Sequence, residues 1–245
     1  NGGYWVRTAR LPNSTLFQPI MNAIQEVSGP SHWNFLDSLG RIGGSIDLAG
    51  GLHLPDLNGL SVQEHIHRLS ARAAVQVETA ISQDRVNLVE VYGADPTGVV
   101  NVAPILNQAY LDLAASTSGP KTIFLPRGTY RLNDRVTPRS GVALVGAGMF
   151  ETTIKPYTFR AAFDWRPSVP EYLENCVFTE FGIDAINQTL QNGGYSVQTK
   201  GFFFQRFRRC VFTRLWIRDT GATSIGIDFA DDSYIGNNFI QRGGR

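Results

Sequence analysis

The sequence predicts a mainly β solenoid of the parallel β-helix type, on three observations. A phrase recurs: Cys176-Val177-Phe178-Thr179-Glu180-Phe181-Gly182-Ile183 returns as Cys210-Val211-Phe212-Thr213-Arg214-Leu215-Trp216-Ile217, and more loosely from Ser233 to Ile240. The offsets are 34 and 23 residues, the scale on which stacked-coil architectures repeat themselves. Each copy is short, alternates small or polar with apolar positions and is rich in Val, Ile, Phe and Trp, the signature of strand. Finally, 23 residues fit one coil of three strands of roughly five residues each plus three corners. The longer offset then requires an inserted loop, and Asn187 to Lys200 has loop composition.

The chain holds 245 residues, 42% of them hydrophobic and 18% charged, with a net charge of +1. That length carries an ample buried core. So small a charge excess disfavours nucleic acid and other polyanions, and no apolar run is long enough to cross a bilayer. No stretch has the pattern of a signal peptide. The chain starts without methionine and stops beside a strand-like repeat, so further coils are expected after Arg245.

Residues 1–60 read as irregular. Leu16 to Val27 has helical spacing, and the glycines from Gly40 to Gly59 punctuate short apolar groups that predict short strands and turns. Ser61 to Asp84 is the clearest helix. Ser61 and Glu64 form a capping box, and Val62, Ile66, Leu69, Ala73, Gln76 and Ala80 trace a coiled-coil seam that predicts self-association, although a helix lying on a domain gives a similar stripe. A second helix is expected from about Val102 to Ala115, with Ile105, Leu106, Ala109, Leu113 and Ala114 on one side, as a lid over the first coil. Pro126-Arg127-Gly128 and Gly146-Ala147-Gly148 predict turns between strands.

Tyr92-Gly93-Ala94-Asp95-Pro96-Thr97-Gly98, the lid helix, Thr122 to Tyr130, Ser140 to Gly148 and Thr152-Thr153-Ile154 occur in that order. Together they resemble the opening of the right-handed pectate-lyase-like β-helix domain of bacteriophage tailspikes and of secreted polysaccharide lyases and epimerases. The resemblance runs from about Val91 to Arg245. One departure is that Val99-Val100-Asn101-Val102-Ala103 stands where such domains usually have Asp-Asp-Thr, which leaves Asn101 to cap the helix.

The resemblance implies a tail-fibre or tailspike organisation, in which residues 1–60 dock to phage tail or baseplate proteins, 61–86 form a trimerising neck and 87–245 begin the β-helix. It implies a homotrimer on the virion, outside the cell, that recognises bacterial surface polysaccharide and either degrades it or does not. A secreted lyase, hydrolase or epimerase, or a purely structural appendage, is the alternative.

Candidate site residues follow from carbohydrate chemistry. Glycoside hydrolysis takes two carboxyls, and Asp184 and Asp219 follow matching repeat positions, with Asp228, Asp231 and Asp232 as further acids; corner carboxylates bonding backbone amides give the blander reading. Aromatic rings stack on sugars, which nominates Trp216, Tyr234, Phe202, Phe203, Phe204 and Tyr195, most of them expected in the core. Lyase chemistry takes an Arg or Lys base, sometimes with calcium, and Arg206, Arg208, Arg209, Arg214 and Arg218 supply guanidinium groups. No cofactor or metal is expected. His32, His53, His65 and His67 make no zinc pattern, since His65 and His67 sit on different helix faces. Cys176 and Cys210 occupy equivalent positions, where stacked free thiols are favoured over a disulfide.

Overall fold

A computed structural model describes residues 24–26, 32–36, 42–47, 51–53, 62–82, 84–169, 171–190 and 196–244. The chain divides into two compact units, Asn1–Ala71 and Arg72–Arg245. In the first, four short strands, β1 (Ile24–Glu26), β2 (His32–Leu36), β3 (Ile42–Asp47) and β4 (Gly51–His53), form an antiparallel sheet in sequence order. The strands expected among the glycines are therefore there as β3 and β4. The helix expected over 16–27 is corrected where it can be seen: Ile24, Gln25 and Glu26 pair with Phe35, Asn34 and Trp33 as a strand. Cross-strand pairing has overridden a local helical pattern. Residues 16–23 and Ser61 lie outside the described residues.

Helix α1 spans Val62–Ser82, as the apolar stripe predicts. The rest of the second unit is a parallel β-helix with three walls. The first wall stacks β5 (Arg85–Asn87), β7 (Thr122–Leu125), β9 (Ala143–Gly146), the front of β13 (Val177–Asp184), the front of β15 (Val211–Arg218) and β17 (Tyr234–Gly236). The second stacks β6 (Thr97–Asn101), β8 (Gly128–Leu132), β10 (Thr152–Pro156), the backs of β13 and β15, and β18 (Phe239–Gln241). The third stacks β11 (Phe163–Trp165), β14 (Phe202–Arg208) and β16 (Ile225–Asp231), with β12 (Leu173–Glu174) against the end of β14.

The two sequence offsets are the coil register. Val177 pairs with Val211 and Ile183 with Ile217 at 34, and Val211 pairs with Tyr234 and Ile217 with Ile240 at 23. Seventeen residues separate Asp184 from Phe202 but six separate Arg218 from Ile225, and that difference of eleven is the difference between the offsets. Cys176 and Cys210 are consequently neighbours on successive coils, both buried and free. The Val211 N–H donates to the Cys176 carbonyl, and the two thiols donate to the carbonyls of Arg139 and Leu173 below them. Burial pushes the Cys176 thiol well above its ordinary range, with Cys210 adding to the rise.

Phenylalanines fill the interior. Phe163 stacks on Phe202 at 5.1 Å and Phe178 on Phe212 at 5.0 Å, while Phe181, Phe204 and Phe207 pack around them. Corners repeat as faithfully as strands: the left-handed residues fall into columns, Asn175, Arg209 and Asp232 in one, Glu180, Arg214 and Asn237 in the next, and Asp219 with Arg242 in a third. Stacked acids and guanidinium groups accompany them. Glu174 binds Arg208 and Arg209, Glu180 binds Arg214, and Asp184 binds Arg218, each acid one coil below its partner.

The lid is α3 (Ala103–Ala115), which follows the short α2 (Leu88–Tyr92) and buries Leu106, Ala109, Tyr110 and Leu113; Ala114 faces out instead. Asn101 does accept the Ala103 N–H, at 3.1 Å, and its carboxamide oxygen also takes the N–H of Asn133 on the next coil. Residues 72–82 of α1 lie on the outer face of the first wall, where Ala73, Val77 and Ala80 meet Ala143, Val145, Val177 and Val211. Arg72 pairs with Asp232 of the sixth coil, whereas Thr79 and Ala80 share a hollow with Lys121 and Thr122 of the second. The helix thus runs back along the stack, residues 72–82 rising about 15 Å.

Candidate functional site

The third wall alternates. Phe163, Phe202 and Phe204 point into the core, which turns Asp164 and Phe203, paired in register, to the outside. Asp164 is nevertheless covered, its side chain only 1% exposed, because Arg166 grips it with both arms (Nε to Oδ1 2.8 Å, Nη2 to Oδ2 2.5 Å) and Arg135 approaches to 3.6 Å. Asp164 and Arg166 are two apart in extended chain and so share a face.

On the next coil the Phe203 ring receives two cations, Arg166 at 4.2 Å and Lys200 at 3.5 Å, both within cation–π range. Burial lowers the Lys200 ammonium from its ordinary range; Asp228 and Asp164 oppose that shift and Arg166 adds to it. Arg166 is raised, first by its bond to Asp164. Beside this group opens a cleft of about 410 Å³, lined by Arg135, Thr137, Arg139, Asp164, Arg166 and Glu171 among others. Three guanidinium groups face two carboxylates there, and one of those carboxylates is already held by Arg166. Planar forks of this kind bind carboxylate, sulfate or phosphate through paired N–H donors.

Asp184, Asp219 and Asp228 are divided between two walls. Asp228 belongs to the third, exposed beside Lys200 and Arg166. Asp184 and Asp219 are on the second wall, gathered around Arg218, which lies 2.7 Å from Asp184 and 3.7 Å from Asp219. Asp219 is not the repeat partner of Asp184: the register pairs Asp184 with Arg218, and Asp219 is one residue further along. Asp184 also caps a 3-10 turn by accepting the Ile186 N–H, and Arg242 grips Asp219 at 2.6 and 2.8 Å.

Of the aromatic candidates, Phe202 and Phe204 are core, Tyr234 packs against the cluster that α1 and the first wall share, Phe203 and Trp216 face outward, and Tyr195 lies outside the described residues. Arg135, Arg139, Arg166 and Lys200 were not among the candidates. Their only sequence trace is the Asp164-Trp165-Arg166 alternation, because a cleft wall depends on which coils stack. Among the described residues no group of three His, Cys, Asp or Glu side chains could hold a metal, and no helix is long and apolar enough to cross a membrane.

Residues 86–167 match the family model described as rhamnogalacturonase A/epimerase, pectate lyase-like. The opening coils of the parallel β-helix, residues 86–167, are thus pectate-lyase-like. Among solved structures this β-helix is similar to the pre-mature gene product 12 of bacteriophage phi29, at 18% identity and TM-score 0.52 over 69% of this chain and 24% of that one. It is also similar to the A-module of the mannuronan C-5 epimerase AlgE4 of Azotobacter vinelandii, at 19% identity and TM-score 0.48 over 65% of this chain and 50% of that one. The ORF18 protein of Geobacillus virus E2 matches at 20% identity and TM-score 0.36 over 83% of this chain and 40% of that one. The chain spans half or less of the length of each of these proteins. No curated protein sequence matches it.

Proposed function

We propose that the β-helix belongs to a phage tail appendage and binds acidic polysaccharide on the host surface through the arginine-lined cleft of its third wall. The observation that carries this reading is the cleft itself: Arg135, Arg139 and Arg166 converge on one concavity, with Lys200 beside them on the Phe203 ring. The chain-wide charge of +1 disfavours polyanions at long range, but a local cluster acts at contact distance, where a guanidinium fork selects a carboxylate. The similar fold of the phage phi29 gene product 12 favours the virion setting. In that setting residues 1–60 dock to tail proteins and the chain assembles as a homotrimer.

Calorimetric titration with oligogalacturonate tests the reading. Saturable binding that weakens as salt rises and is lost in Arg139→Ala supports it; no binding at low salt overturns it. A sedimentation mass three times that of the chain supports the trimer, and a monomer favours a secreted protein instead.

A second reading is a lyase. Lys200 is a buried amine of lowered basicity beside the cleft, suited to take the proton next to a uronate carboxylate held by an arginine. The bond from the neighbouring ring carbon to the glycosidic oxygen would then break, that oxygen leaving as a hydroxyl with a proton from water, and a carbon–carbon double bond would form. Ultraviolet absorbance of the unsaturated product separates this reading from pure binding. Hydrolysis by Asp184 and Asp219 is the weaker case, since the guanidinium groups of Arg218 and Arg242 occupy both carboxylates.

A further inference from the structure

We propose that the outer face of the second wall is a second sugar site, a stacking platform for an uncharged pyranoside made by Phe150, Trp216 and Phe239. This rests on the carbohydrate-binding reading above but uses none of the cleft residues. The register places Gly182, Trp216 and Phe239 in one outward column on successive coils. A Cβ on Gly182 would come within 2.8 Å of the Trp216 ring, so the missing side chain lets the indole lie over that position. The indole N–H donates to Gln241 at 3.1 Å, which pins the ring. Phe150 leans on it at 5.5 Å and 59°, and Arg218 sits 4.7 Å from its centre. Phe150 is 62% exposed and Phe239 49% exposed, so apolar ring surface is left in water.

The surroundings decide the occupant. Arg218, held by Asp184, stands over the Trp216 ring, and Gln241, which Arg242 follows in sequence, accepts from its indole N–H, so hydrogen-bonding groups rim the rings. Ring faces with a rim of hydrogen-bonding groups match a pyranose, which has an apolar face and a hydroxyl edge. These guanidinium groups are already neutralised, Arg218 by Asp184 at 2.7 Å and Arg242 by Asp219 at 2.6 Å, so the platform favours a neutral sugar where the cleft favours an acidic one.

The test is fluorine NMR of the full chain labelled with fluorotryptophan, the Trp216 resonance assigned with Trp216→Phe, during titration with cellohexaose. We expect a saturable shift of that resonance, weakened about tenfold by Phe150→Ala or Phe239→Ala and unchanged by Arg139→Ala. Because both phenylalanines are exposed, these variants spare the core. A Trp216 resonance indifferent to cellohexaose overturns the platform, and oligogalacturonate binding in the same sample then leaves the cleft reading standing. Loss of oligogalacturonate binding with the Trp216 response intact does the reverse. A shift that follows protein dilution rather than sugar assigns the surface to self-association and also overturns the proposal.

Discussion

At the scale of single residues, two positions set the geometry of the first coils. Asp95, in the Gly-Ala-Asp-Pro-Thr-Gly turn, accepts from the Thr97 hydroxyl at 2.6 Å and from the backbone N–H groups of Thr97, Val99 and Val100 at 2.9, 3.0 and 2.7 Å. These bonds, the Thr97 hydroxyl first, lower its pKa to about 2. An unfolded aspartate titrates near about 4, so the contribution of Asp95 is complete above that pH and is lost as pH falls through about 2. Asp95→Asn should lower the melting temperature at neutral pH and flatten the fall in stability between about pH 4 and 2, as followed by circular dichroism. Gly146 is the second. A Cβ there would lie 2.0 Å from the Glu180 carbonyl oxygen, backbone that cannot yield without moving the corner column. Gly146→Ala should cost about 3 kcal/mol in denaturant unfolding. The motif glycine and aspartate were legible in the sequence; the left-handed columns were not, because Glu180, Arg214 and Arg242 are not residues that announce a positive φ.

At the scale of elements, the strands and the lid were readable from alternation and from the 34 and 23 offsets, and the Asn187–Lys200 insertion from their difference. The stripe on α1 was misdrawn by one position. A heptad places Gln76 on the seam, whereas the helix buries Val77 with Ala73 and Ala80 against the first wall and leaves Gln76 partly exposed. Adjacent residues at an apolar boundary cannot be separated by periodicity when both packings use Ala73 and Ala80. Val77→Asp should therefore release residues 72–82 from the wall, costing at least about 2 kcal/mol and raising amide exchange in that stretch. Inside the coils, Phe178 contacts Phe163, Phe202, Phe204 and Phe212. Phe178→Ala should cost about 3–5 kcal/mol, measured by denaturant unfolding.

At the scale of the whole second unit, one register organises core, corners and surface. It stacks the phenylalanines, lines up the left-handed residues, sets each acid below its arginine, and places Lys200 and Phe203 one coil above Asp164 and Arg166. The cleft was hidden from the sequence for that reason, since residues 135, 139, 164 and 200 share no motif and meet only through stacking. The Cys176–Cys210 relationship was open to view because the repeat itself carried it.

That register is tested most directly by paired cysteines. Parallel neighbours sit about 4.8 Å apart, inside the range a disulfide bridges. Glu174 pairs with Arg208 across the long offset, and Arg206 pairs with Phe229 across the short one. The double variants Glu174→Cys/Arg208→Cys and Arg206→Cys/Phe229→Cys should each form an intrachain disulfide under mild oxidation, read by intact mass and non-reducing electrophoresis, while Glu174→Cys/Arg206→Cys should not. Bridging only in the mismatched pair, or in none, would contradict the stacked coils on which the cleft and the platform depend.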